Sequence, residues 1–131
     1  YTTFSYSTAS VSEVELSATE VEKQLTSGES QFNVAPLSTV SITVTNTGKV
    51  AGEDVVLCFV TPPSPGAGGA PLKSLRGFER VYLTPGESKT IDFPVDAFDV
   101  TYADESGNFP VREGEWGVVV GDVRVPVRVV A

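Results

Sequence analysis

Bond-making chemistry on a polypeptide needs nucleophiles, bases, metal ligands or anion cradles at workable spacing, and this sequence offers few. Cys58 is the sole cysteine and histidine is absent. A Ser or Cys nucleophile ordinarily borrows a neighbouring base, most often His, so no such triad can be assembled. Cys58 itself lies inside Val55-Val56-Leu57-Cys58-Phe59-Val60, an apolar run in which its thiol is expected to stay buried and protonated. A zinc-type site, which needs clustered Cys and His, is closed for the same reason. Asp96, Asp99, Asp104 and Glu105 are the best-grouped oxygen ligands, yet their spacing matches no calcium loop, and turn or capping duty is the expectation. Hydrolysis of a glycosidic bond would need two carboxylates facing each other across a sugar ring, a separation that chain spacing cannot supply. Gly66-Ala67-Gly68-Gly69-Ala70-Pro71-Leu72-Lys73-Ser74 has the composition of a phosphate cradle, but Leu72 rather than Gly precedes Lys73 and Pro71 blocks the helix that such a loop opens. No catalytic residue, metal or cofactor is therefore expected.

The elements that would position these side chains read as strands. Val40, Ile42 and Val44 alternate with Ser41, Thr43 and Thr45, the period-two pattern of a strand with one buried face, and Asn46-Thr47-Gly48-Lys49 then supplies a turn. Val55 to Val60 is apolar on both faces, which predicts a central strand, or one covered by another domain. Leu75 to Leu83, Ile91 to Val95, Glu115 to Val120 and Val123 to Val129 add further strands, with Pro94 and Pro126 expected where no partner needs their missing N–H. A first strand is expected to begin at Val11. Thr19 to Glu29 is polar and stands open between a helical turn and a loop. Asp96-Ala97-Phe98-Asp99 can cap one helical turn, and Asp104-Glu105-Ser106-Gly107-Asn108 reads as a hairpin turn. The fold class expected is all-β, an immunoglobulin-like antiparallel sandwich, with a barrel as the alternative.

At 131 residues the chain fits one domain, 1–131, with an extended lead-in over 1–10 and a Pro/Gly-rich loop over 61–71. A chain of this size buries roughly two thirds of its unfolded surface, so a core is available without disulfide or metal staples. Nine basic against seventeen acidic side chains give a net charge of -8, which repels nucleic acid and anionic membranes, so neither is an expected partner. No apolar run approaches the ~20 residues of a membrane span, and no targeting segment is visible. A start at Tyr1 without Met is what a fragment of a longer protein would show.

Exposed aromatic rings could grip sugar rings or lignin-like polymer, and Tyr1, Phe4, Tyr6, Tyr82 and Tyr102 are the candidates. Trp116, followed by Gly117 and alternating with Val118 and Val120, is expected in the core instead. For Tyr1, Phe4 and Tyr6, covering by a partner domain is the expectation. The loop carrying Pro62, Pro63, Pro65 and Pro71 stands open between an arm that touches a neighbour or rims an active site and a solvated connection.

The run from Pro71 through Leu75-Arg76-Gly77-Phe78-Glu79-Arg80-Val81 to Leu83-Thr84-Pro85-Gly86-Glu87-Ser88 resembles the signature of the fibronectin type III-like domain that follows the catalytic domains in glycoside hydrolase family 3. Val44-Thr45-Asn46-Thr47-Gly48-Lys49, Ala51-Gly52-Glu53-Asp54-Val55-Val56, Glu113-Gly114-Glu115-Trp116 and Val120-Gly121 match in order and spacing. Tyr1 to Tyr6 is similar to the segment by which such enzymes enter the domain, so the likeness runs nearly end to end. The resemblance implies a noncatalytic sandwich packed beside the catalytic domains of a β-glucosidase or β-xylosidase, stabilising them and shaping the substrate entrance. Those domains are then its partners, and an extracellular location is suggested by the resemblance alone. Leu57-Cys58-Phe59 before a Pro-rich stretch is somewhat closer to the xylosidase branch, whereas Gly77-Phe78-Glu79-Arg80 occurs in both. No barrel or second domain precedes Tyr1 in this sequence, so hydrolysis is not assigned to it. The alternative is an independent module that binds plant cell-wall polysaccharide or lignin through exposed aromatics.

Overall fold

A computed structural model describes residues 2–26, 36–67 and 70–131. Two sheets form. The first holds β1 (Phe4–Val11), β3 (Ser38–Asn46) and β6 (Ser88–Val95) in the order β1-β3-β6. The second holds β2 (Glu15–Ser17), β4 (Gly52–Thr61), β5 (Ser74–Leu83), β7 (Gly114–Val120) and β8 (Val123–Val130) in the order β2-β8-β7-β4-β5. Pairings are antiparallel except β2 with β8, where Leu16 lies beside Val129 in parallel. That parallel pair departs from the all-antiparallel expectation. It arises because the chain crosses between sheets over Ser12 to Val14 without a hairpin; the lead-in is itself strand β1, and the predicted strand from Val11 is split in two.

Alternation fixes the register because a one-residue slip would turn every valine of β3 to water. Val40, Ile42 and Val44 are fully buried and face Val56, Val118, Val120, Val127 and Val129 of the other sheet within one cluster. Each such side chain contributes about 1.5–3 kcal/mol relative to exposure. Trp116 is 2% exposed; its indole N–H donates to Arg112 O at 3.1 Å, so the polar end of a core ring is satisfied. β4 is paired on both sides, by β5 and by β7. Pro94 lies on edge strand β6, and Pro126 pairs with Gly117 on one side while β2 begins opposite Arg128, beyond it.

The polar segment left open by the sequence contains α1 (Ala18–Thr26), whose Val21 is buried with Leu25 packed against the core; Gly28 and Glu29 lie outside the described residues. A one-turn 3-10 helix, Ala97–Val100, carries the expected cap: Asp96 Oδ1 accepts from Phe98 N at 2.8 Å and Asp99 Oδ2 accepts from Asp96 N at 2.9 Å. Asp104 Oδ1 accepts from Ser106 N and Asn108 N, so that turn forms, but no strands flank it.

Candidate functional site

The motif residues fall into two groups, one that seals the end of the sandwich and one that faces outward. Sealing centres on Asn46, which is 0% exposed. Its Nδ2 donates to Val50 O and Leu83 O, each at 2.9 Å, and its Oδ1 accepts from Thr2 Oγ1 and Gly48 N. One carboxamide thus ties the lead-in, the end of β3, the approach to β4 and the end of β5. The Thr84-Pro85-Gly86-Glu87 turn is sewn to the same point: Gly86 N donates to Asn46 O and Asn46 N to Glu87 O. Gly86 has φ 81, the left-handed conformation that a Pro-Gly turn requires. Gly77 faces inward, where a Cβ would meet Phe93 Cδ1 at 3.3 Å, so its missing side chain lets that ring close on β5.

Phe4 and Tyr6, predicted as contacts for a partner, point into the sandwich and are partly buried against its core. The Tyr6 hydroxyl donates to Asp54 Oδ2, and burial with the Asp54 charge beside it pushes the phenol up. Its ring lies where a Cβ on Gly121 would be, 2.6 Å from Cδ2, so the β7–β8 turn closes over it. Tyr1 lies outside the described residues. In the Pro-rich loop, Pro62 is buried, Pro63 packs against Gly114, Pro65 is exposed and Pro71 is half-buried.

Cys58 is 3% exposed and burial pushes its thiol up to about 12, which leaves no thiolate at neutral pH. Asp99 is raised to about 6, chiefly by burial; Asp96 nearby adds to the rise, while its N–H and Arg76, at 3.8 Å, oppose it. Arg112 lies 3.5 Å over the Tyr102 ring and donates to Tyr102 O, pinning the segment that leads to Trp116. Among the described residues no group of three or more His, Cys, Asp or Glu could hold a metal ion.

Of the outward-facing motif residues, only Tyr82 was singled out as a contact candidate in the sequence. Leu57 lies opposite Phe78, and Phe59 opposite Leu75, on the outer face of β4 and β5. Phe78 is 70% exposed, Tyr82 65% and Leu75 54%. The signal that could have found them was the both-face apolar run in β4 together with the large apolar residues of the Leu75 to Leu83 strand. Beside them a depression of about 210 Å³ is lined by Tyr6, Val55, Leu57, Phe59, Val119 and Lys73, whose ammonium sits 4.3 Å from the Phe59 ring centroid. This surface can bury apolar groups and hold an anion at its rim; it presents no pair of groups arranged to make or break a bond.

Residues 54–123 match the family model described as the fibronectin type III-like domain. A curated relative, "Probable beta-glucosidase G" of Aspergillus flavus, is 40% identical over 124 residues, covering 92% of this chain and 15% of its own length. Among solved structures, a β-glucosidase from Erythrobacter marinus aligns with a TM-score of 0.75 and 26% identity, over 98% of this chain and 16% of that one. A GH3 β-glucosidase from Bifidobacterium adolescentis aligns with a TM-score of 0.72 and 27% identity, over 98% and 17%. The chain therefore spans less than a fifth of these relatives.

Proposed function

Because this chain belongs to the fibronectin type III-like domain family, we propose that it is a noncatalytic accessory domain of a family 3 glycoside hydrolase acting on β-glucosides. Its role is contact: it stabilises the catalytic domains of the same polypeptide and helps shape the approach to their active site. The observation that carries this reading is the coverage, 92% of this chain against 15% of a β-glucosidase, by a sandwich whose own core is closed. The buried, protonated Cys58 and the capping duty of Asp96 and Asp99 agree with a structural part. Deleting residues 1–131 from the full-length hydrolase should lower its melting temperature and soluble yield, measured by calorimetry and expression. An unchanged melting temperature would remove the stabilising role.

A second reading, binding of plant cell-wall polymer, is favoured by the exposed rings of Phe78 and Tyr82. Against it, Phe78 lies opposite Leu57, and the charged groups of that face, Glu53 and Arg80, are paired with each other at 3.9 Å, whereas sugar recognition needs polar groups placed to meet hydroxyls.

A further inference from the structure

The two outer surfaces of the sandwich are chemically opposite. On the three-stranded sheet the outward positions are hydroxyls in rows across the strands. Thr45 and Ser88 are 2.7 Å apart, Thr43 and Thr90 3.2 Å, and Ser41 donates to Asp92 at 2.5 Å. These side chains satisfy one another, and Ser41 is buried beneath its neighbours. On the five-stranded sheet the outward positions of β4 and β5 are Val55, Leu57, Phe59, Leu75, Phe78 and Tyr82, with the Glu53–Arg80 ion pair at one end.

Backbone edges do not account for the difference. An unpaired strand edge invites association unless it is short, bulged or broken by proline. β2 is 3 residues long, β1 has a register shift between Thr8 and Ser10, and β6 carries Pro94. β5, an edge of 10 residues, has the same kind of shift, Arg76 being passed over between Gly77 and Leu75, so what sets it apart is the outward Leu75, Phe78 and Tyr82 rather than an unprotected backbone.

Resting on the accessory-domain reading, we propose that the outer face of β4 and β5, centred on Leu57, Phe59, Leu75 and Phe78, docks against the catalytic part of the same polypeptide, while the hydroxyl face stays in solvent. Three features select that occupant. First, relatives of this chain devote about 85% of their length to other parts, taking the 15% that aligns from the whole. Second, Thr2 is bonded to Asn46, which holds Leu83 O, and Leu83 pairs with Gly52 next to the Glu53–Tyr82 pair. Any chain continuing upstream of Thr2 leaves the sandwich at that end of the face and delivers a tethered neighbour to it. Tethering raises the effective concentration of such a neighbour, so a patch too small to hold a free partner suffices. Third, the depression beside Phe59 takes an apolar side chain, and Lys73 at its rim matches a carboxylate next to that side chain.

Hydroxyl-radical footprinting of the full-length hydrolase tests this directly against the isolated 131-residue chain. Phe78 and Tyr82 should oxidise several-fold more slowly in the full-length protein, with Phe109, 51% exposed in the connection before β7, as the reference ring. Leu57→Asp with Phe78→Asp should lower the melting temperature of the full-length protein by several degrees, and Lys73→Glu by less. The Thr43→Asp control on the hydroxyl face should leave it unchanged. Circular dichroism of each variant in the isolated chain separates lost docking from lost folding. Equal oxidation of Phe78 in both proteins would overturn the proposal even where deletion of the domain destabilises the enzyme; deletion without effect would instead overturn the accessory reading. Retention of the isolated chain on cellulose or xylan, abolished by Phe78→Ala, would overturn it in favour of polymer binding.

Discussion

Asn46 shows how much one side chain can hold when its partners are backbone groups. Its amide serves two carbonyls and its oxygen two donors, and the side chain itself is fully buried. Asn46→Ala leaves Val50 O and Leu83 O without that donor, a loss of about 1–3 kcal/mol per orphaned group. A drop in melting temperature of roughly 4–8 °C or more is expected by calorimetry, since each kcal/mol shifts a domain near this size by several degrees. Asp99 gives a residue-scale prediction of opposite character. Its carboxyl is raised to about 6 from an ordinary 3.8 mainly by burial, so the folded chain holds this proton more tightly than the unfolded one. Stability from that group is complete below pH 3.8 and is lost as pH rises through about 6. The full difference is on the order of 3 kcal/mol, at 1.36 kcal/mol for each pH unit. Asp99→Asn retains an oxygen for Asp96 N yet has no proton to lose. Urea midpoints measured from pH 4 to pH 7 should therefore flatten in the variant. Asp96, also raised, leaves a residual slope. An unaltered slope in Asp99→Asn would show that burial does not control this carboxyl.

At the scale of elements, turns with positive φ look alike in sequence and differ in what they touch. Gly86 has φ 81 and open space where a Cβ would sit, whereas Gly121 has φ 59 with the Tyr6 ring in the way. Gly86→Ala should cost only the backbone term, about 1–2 kcal/mol. Gly121→Ala should cost more, because the ring must move and its hydroxyl must leave Asp54. A cycle with Tyr6→Ala in urea denaturation should recover the excess, as the clash is then absent. The same distinction explains what the sequence made legible. The alternation in Val40 to Thr45 announces strand, face and register, because period two has one geometric reading. The Val55 to Val60 run announces a strand with a partner on each side, which β5 and β7 supply. It cannot tell whether its second face is covered within the chain; here Val55 and Leu57 are left 44% and 39% exposed. The Asp96 cap was visible because capping is local, whereas the parallel β2–β8 pair and the inward turn of Phe4 and Tyr6 depend on partners far along the chain. For Phe4 and Tyr6, aromatic character marked contact without its direction.

Across the whole molecule, one buried cluster joins both sheets, α1 and the turn after β6, so no sheet keeps a core of its own once the other leaves. Cooperative unfolding follows from that sharing. Trp116, the only tryptophan, sits in the cluster on β7, and the Tyr102 ring 6.3 Å away ties it to the long connection before β7. Its emission should be blue-shifted in the folded chain and move to the red in a single step with urea. That step should coincide with the loss of far-ultraviolet circular dichroism, which reports strands of both sheets. Two transitions, with tryptophan exposed before the β signal falls, would mean that the five-stranded sheet opens independently and that the two sheets do not share one cooperative core. If the outer face of β4 and β5 is a docking surface, the midpoint seen by Trp116 should also rise when the domain is attached to its parent enzyme. A contact that favours the folded domain adds its free energy to the domain's own stability. The rise should vanish with Leu57→Asp and Phe78→Asp while persisting in Thr43→Asp, because only the former pair lies on the apolar face.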